Sequence, residues 1–237
     1  MNCASMKWDL TYRGENMGRI DLHAHTVFSD GKFIPCELAR RAKVKEHEAV
    51  AITDHCGANV VEVVKRVKKE CALVNRFWQI KAIPGVELTH IPPGSIDELA
   101  AQAKSAGAEI VVVHGETLAE PVEEGTNAAA VNCENVDILA HPGLITLKDA
   151  KMAQEHGIFL EISGRKGHCL ANGHVVKVGK IAGAGFVVNS DAHDFPDLLT
   201  LADAYRVAFG AGLEGEEAYI TIEENPRRFM KGKPGIF

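Results

Sequence analysis

The sequence predicts an α/β fold, a distorted (β/α)7 barrel, and three observations point there. Short β-branched or apolar runs alternate with stretches of helical spacing along most of the chain, which implies a parallel sheet with right-handed crossovers. No linker rich in Pro, Gly or Ser divides the 237 residues, and 46% hydrophobic with 24% charged residues is the balance of a globular domain with one core. The tips of the runs carry His, Asp or Glu. An open doubly wound sheet gathers ligands at one switch point, whereas a barrel brings all strand ends round a single rim. Ligands on so many separate runs therefore favour the barrel. Residues 19–237 read as a single barrel domain, preceded by an N-terminal extension at 1–18.

The elements follow in order. The first run, 19–25 (RIDLHAH), ends in His23 and His25, which the two-residue period of a strand sends to the same face. Asp30, in the turn Ser29-Asp30-Gly31, is close enough to fold back over the same mouth. Pro35 opens a helix over 35–47, and the next run, 49–55 (AVAITDH), emerges at His55. A helix over 59–77 leads to the run 80–89 (IKAIPGVELT), which carries Glu87. Ser95 caps a helix at 96–106 that stops at Gly107, and 109–114 (EIVVVH) ends in His114. Pro142-Gly143 cuts off the run 136–141 (VDILAH) and leaves His141 at the rim. Helices at 147–156 and 172–182, ended by Gly157 and Gly183, flank the run 159–163 (FLEIS). The last run, 186–193 (FVVNSDAH), presents Asp191 and His193 on one face, and a helix at 198–209 follows. Of the eleven histidines, His47 and His156 fall within helices and read as solvent-facing.

Charge and composition exclude several classes. A net charge of −6 argues against a protein that coats nucleic-acid phosphates with positive charge, and 6% aromatics argues against a base-stacking platform. No signal-peptide core and no membrane-length apolar run is present, so a cytoplasmic protein without a membrane partner is expected. Six cysteines without CxxC pairs read as free thiols, Cys56 as a buried filler beside His55. Neither a GxSxG elbow nor a P-loop occurs.

The series His23-Ala24-His25-Thr26, Ser29-Asp30-Gly31, Thr53-Asp54-His55, Gly85-Val86-Glu87, His114, Ala140-His141-Pro142 and Ser190-Asp191-Ala192-His193 resembles the motifs of the PHP (polymerase and histidinol phosphatase) superfamily. The match runs in order from about residue 19 to 230 and ends in the family-like Glu224-Asn225-Pro226-Arg227-Arg228. The resemblance implies a distorted (β/α)7 barrel with a trinuclear metal centre at its C-terminal rim, acting on phosphate esters. Carried over residue by residue, the ligands are His23, His25, Asp30, His55, Glu87, His114, His141, Asp191 and His193; many members have His at the position of Asp30. Three carboxylates against three divalent cations leave an excess of +3, which a phosphate monoester dianion and a bridging hydroxide cancel. The mixed donor set suits Zn, Mn or Fe.

The activity this implies is hydrolysis of a small phosphomonoester by in-line attack of a metal-bridging hydroxide, with histidinol phosphate the leading substrate. A nucleotide or nucleoside bisphosphate phosphatase, or a phosphodiesterase, is the alternative. In the stretch 161–168 (EISGRKGH), Arg165 and Lys166 are candidate phosphate contacts, and His168, or His90, is the candidate proton donor. Glu161 and Asp21 occupy supporting positions, and His174 sits in a cap region. An amidohydrolase would want a lysine where this chain has Val113-His114, and a non-catalytic barrel would be expected to have lost ligands. The expected partner is a small phosphorylated metabolite, with no groove for tracking a nucleic-acid strand.

Overall fold

In the computed structural model, which describes residues 18–232, the apolar runs form parallel strands. In chain order they are β1 (Arg19–Asp21), β2 (His47–Ile52), the two-residue β3 (His55–Cys56), β4 (Lys81–Leu88), β5 (Ile110–His114), β6 (Ile138–Ala140), β7 (Phe159–Ser163) and β8 (Phe186–Asn189). Pairing follows the path β1-β2-β4-β5-β6-β7-β8, with β3 continuing along β4. The result is a nearly closed barrel of seven parallel strands with one unsealed seam, between β1 and β8. There the strands meet through one bridge, Ala24 to Ala192, where the His25 N–H donates to the Ala192 carbonyl at 2.9 Å.

Two apolar layers hold the barrel. Strand alternation sends Val111, Val113, Leu139, Leu160, Ile162 and Val188 outward, against the apolar faces of the helices. The inward set, Ile83, Ile110, Val112, Ile138, Phe159 and Val187, fills the barrel interior. The outer shell comprises α1 (Pro35–Val44), α2 (Val60–Phe77), α3 (Ile96–Ala106), α4 (Thr126–Val131), α5 (Leu147–His156), α6 (Asn172–Ala182), α7 (Leu201–Ala211), α8 (Gly215–Tyr219) and, after a π-helical turn at Ile220–Glu224, α9 (Asn225–Met230). Pro35 opens α1, and left-handed Gly107, Gly157 and Gly183 close α3, α5 and α6 as their sequence positions predict. Ser95 precedes α3, but its hydroxyl donates to the Pro92 carbonyl instead of capping the helix.

The structure corrects several sequence expectations. His47 is not a helical surface residue. α1 stops at Val44, and His47 opens β2, 1% exposed, with Nε2 3.8 Å from Asp21. His156 does end a helix, and its Nδ1 lies 2.7 Å from the Val131 carbonyl. The expected strand 49–55 is divided into β2 and β3, and the last expected helix is α7, which starts at Leu201 where the Thr200 hydroxyl caps it. The short helices α4, α8 and α9 have no counterpart in the sequence reading. Residues 1–17 of the expected extension at 1–18, with Cys3, lie outside the described residues; the remaining cysteines are free thiols. Cys56 packs in the outer core, and burial pushes its thiol up to about 12. No helix among the described residues is long and apolar enough to cross a membrane.

Candidate metal centre

Each predicted ligand reaches the rim for a local reason. On β4 and β5, Glu87 and His114 continue the inward columns of Ile83 and of Ile110 and Val112, so the same alternation that fills the interior places them above it. His23 and His25 lie just beyond β1, with their Nε2 atoms 3.0 Å apart. Asp30 is brought back by Asp54, whose carboxylate accepts from the Thr26 N–H, the Thr26 hydroxyl and the Ser29 hydroxyl, each at 2.7 Å. A methyl group on Gly31 would lie 2.4 Å from the His25 carbonyl oxygen, so only glycine allows this return. His141 and Asp191 adopt left-handed backbone, φ 30° and 50°, as does His90 at φ 50°. Such conformations cost about 1–3 kcal/mol each outside glycine and collect at functional sites.

The nine predicted ligands come together. His25, Asp30, His55 and His193 form one group; His23, His25 and Asp191 form a second; Glu87, His114 and His141 form a third. In the first, Asp30 Oδ1 lies 3.3 Å from His55 Nε2 and 3.1 Å from His193 Nε2. In the second, Asp191 Oδ1 lies 3.2 Å from His25 Nε2. In the third, Glu87 Oε1 lies 3.3 Å from His114 Nδ1 and 3.6 Å from His141 Nε2. Glu87 also joins the groups, its Oε2 lying 2.7 Å from His55 Nδ1 and 3.4 Å from His23 Nε2.

Burial by itself would raise the carboxyls of Glu87 and Asp191, but the surrounding imidazoles, His23 foremost, hold both well below the usual carboxylate range. Burial also drives His25 down to about 3. It would do the same to His55, but the carboxylates of Glu87 and Asp30 win and push that ring up to about 10. Without a cation, this cluster is poorly satisfied. Both carboxylate oxygens of Glu87, Nδ1 of His25 and both ring nitrogens of His114 and His141 are buried with no hydrogen-bond partner. Each such atom costs about 1–3 kcal/mol. Among these atoms, Glu87 Oε1, His114 Nδ1 and His141 Nε2 face one another, a mixed carboxylate and imidazole donor set of the kind that divalent metal ions take.

A cavity of about 250 Å³ opens over the cluster, lined by Asp30, His55, Thr89, His90, His114, Glu120, Arg165, His168, Asp191 and His193. Arg165 Nη1 lies 2.8 Å from His193 Nδ1, and its Nε lies 3.8 Å from Asp191 Oδ2. His168 Nδ1 lies 3.1 Å from Asp191 Oδ2; burial would lower its ring, but the carboxylates of Asp191 and Glu120 win and hold it above the usual histidine range. Lys166 is exposed and does not line this cavity, and His174 sits in α6 with Nε2 2.9 Å from the Ile145 carbonyl.

Behind these residues, Glu161 Oε2 lies 2.7 Å from His23 Nδ1. Asp21 accepts from the backbone N–H of Ser190 and from the Ser190 hydroxyl, and is paired with buried Arg19 at 3.1 Å. Burial opposes its charge, but Arg19 and His47 hold its carboxyl well below the usual range. Sequence reasoning missed Glu120, Asp54 and Asn189. Glu120 sits in an acidic stretch (EPVEEG) that reads as solvated loop, yet its carboxylate touches three histidines.

Comparison with known proteins agrees with this architecture. The profile of the PHP domain matches residues 21–148. An uncharacterized protein of Methanocaldococcus jannaschii is 47% identical over 215 residues, which cover 90% of this chain and 99% of that one. The DNA polymerase/3'-5' exonuclease PolX of Bacillus subtilis is 27% identical over 194 residues, 73% of this chain and 34% of PolX. Among solved structures, a chain of archaeal ribonuclease P with mature tRNA superposes with a TM-score of 0.66 at 16% identity, over 89% of this chain and 90% of that one. The histidinol phosphate phosphatase of Lactococcus lactis, solved with zinc, L-histidinol and phosphate, superposes with a TM-score of 0.60 at 17% identity, over 84% of this chain and 95% of that one. With the matched profile spanning the first strand to the sixth and its motif residues gathered at one rim, this chain belongs to the PHP domain family.

Proposed function

We propose that this protein is a metal-dependent phosphoesterase that hydrolyses a small phosphomonoester, with histidinol phosphate the leading substrate. The reading rests above all on one observation: nine His, Asp and Glu side chains converge beneath a cavity that also holds a guanidinium. The three groups around Glu87 and Asp191 would hold three divalent ions, of Zn, Mn or Fe character. Bound there, such ions supply Lewis-acid stabilisation of phosphoryl oxygens and acidify coordinated water.

The remaining work falls to the chain. Arg165, half-buried at the cavity wall, offers a planar pair of donors to phosphate oxygens and offsets charge that spreads over them in the transition state. Lys166, exposed beside it, contributes a mobile point charge at longer range. His168 is held between Asp191 and Glu120 and, as imidazolium, is placed to return a proton to the leaving oxygen. His90, on the far side of Glu120 with Nε2 3.0 Å from it, is the second proton donor in reach. The cavity of about 250 Å³ admits a small ester rather than a folded macromolecule.

The similarity to PolX, a polymerase and 3'-5' exonuclease, favours a second reading, cleavage of a phosphodiester at a nucleic-acid 3' end. One experiment separates the two. The protein is stripped with a chelator, reloaded with zinc or manganese, and assayed against an aryl phosphate, histidinol phosphate, nucleotides and a single-stranded oligonucleotide. Metal-restored release of phosphate from small monoesters supports the first reading; shortening of the oligonucleotide alone supports the second. No turnover of any ester by the metal-replete protein would refute both.

A further inference from the structure

Glu120 has no place in the nine-residue cluster, yet it sits at the centre of a second one. Its Oε2 lies 3.0 Å from His90 Nε2 and 3.2 Å from His114 Nε2, and its Oε1 lies 3.3 Å from His168 Nε2. Ligands bound about 2.0–2.1 Å from a tetrahedral ion stand roughly 3.3 Å apart, so these separations are those of a coordination shell. His90, His114 and Glu120 also place their donor atoms within 4.8 Å of one another. A second observation is independent of spacing. His114 Nε2 belongs to a residue only 2% exposed, is aimed at Glu120, and makes no hydrogen bond.

We propose that His90 Nε2, Glu120 and His114 Nε2 bind a further, exchangeable transition-metal ion at the mouth of the cavity. His90 and Glu120 are each about two-fifths exposed, so the ion enters from solvent and keeps water in its remaining positions. Two imidazoles and one carboxylate select zinc, copper or nickel over magnesium or calcium. His114 also faces inward, with Nδ1 3.3 Å from Glu87 Oε1. A neutral imidazole has one lone pair. When Nε2 takes the mouth ion, the ring proton moves to Nδ1 and is donated to Glu87, so the mouth ion and the deep group compete for one ring. An ion here also stands in the cavity and occupies the carboxylate that His168 touches. The expected consequence, which rests on the phosphoesterase reading, is inhibition by excess zinc.

The test is a zinc titration of the full chain against a chromogenic chelator, with the metal retained after gel filtration counted by elemental analysis. Wild type should show, beyond its tightly held ions, one weaker zinc. Glu120→Gln and His90→Ala should each weaken that phase at least roughly tenfold and keep the tight ions. A wild type without a weak phase overturns the site. So does a weak phase unchanged in both variants, or loss of the tight ions with it. Excess zinc should slow aryl phosphate hydrolysis by wild type more than by Glu120→Gln. If no ester is turned over, the phosphoesterase reading fails while the titration still decides the site.

Discussion

Glu161 fixes the ring of His23: its Oε2 lies 2.7 Å from His23 Nδ1 and leaves Nε2 facing His25, Glu87 and Asp191. The same oxygen accepts from Asn189 Nδ2 at 2.9 Å, while Asn189 Oδ1 accepts from the Leu22 N–H at 3.0 Å. A carboxylate behind a histidine sets its tautomer and makes it a better ligand, and losing it typically costs 10–100-fold in metal affinity. Glu161→Ala should therefore retain metal about 10–100-fold more weakly, read by chelator competition. Glu161→Gln keeps an acceptor and should lose less. Wild-type retention in Glu161→Ala would remove this role.

Removing a ligand shared within the cluster tests the centre itself. His55→Ala or Asp191→Ala should abolish the proposed phosphoesterase turnover and lower metal content, since His55 touches Asp30 and Glu87, and Asp191 touches His23 and His25. Full activity of either variant in a metal-replete preparation would count against the site.

Arg165→Ala separates substrate binding from metal binding. A charge-assisted contact contributes about 1.5–3 kcal/mol, so kcat/KM should fall roughly 10–150-fold with metal content intact. Loss of metal would instead assign Arg165 to the support of Asp191 and His193, which it also touches.

Metal loading should release protons. In the metal-free protein His55 titrates at about 10, raised by Glu87 and Asp30 against burial, so at neutral pH its ring is charged. Ligation requires the neutral ring. Apparent affinity should therefore rise as pH rises toward 10, and fall on acidification. Calorimetry in two buffers of different ionisation enthalpy reads the protons directly; zero release at neutral pH would contradict the charge state assigned to His55.

Gly143 is the backbone test. It has φ 59°, and a methyl group there would lie 1.8 Å from the Glu116 carbonyl oxygen. Gly143→Ala should cost at least about 1–3 kcal/mol and lower the melting temperature by several degrees. An unchanged melting temperature would show that the loops after β5 and β6 can separate freely.

Much of this was legible in the sequence, and the reason differs by element. The barrel and the clustering of candidate metal-binding residues follow from strand period and from His, Asp and Glu recurring at run ends, as in β5, where Ile110, Val112 and His114 share one parity. His47 misled because the helical spacing of α1 ran on past Val44, whereas its buried place beside Asp21 depends on a strand pairing with Arg19 that no local pattern states. Glu120 and Asn189 were hidden for the same reason. Asn189 meets Leu22 across 167 residues of chain and Glu120 meets His168 across 48, contacts that the fold makes and no local pattern states.

The gap between β1 and β8 bears on what holds this molecule shut. Its two lips are joined by few backbone bonds, yet one lip carries His23 and His25 and the other Asp191 and His193. Cations held by both lips, as the proposed centre requires, would act as a clasp on an incomplete hoop. Chelation should thus do more than silence chemistry: the staves should part at this joint first, and amide exchange at Leu22 and Ser190 should quicken before the opposite wall of β5 and β6 responds.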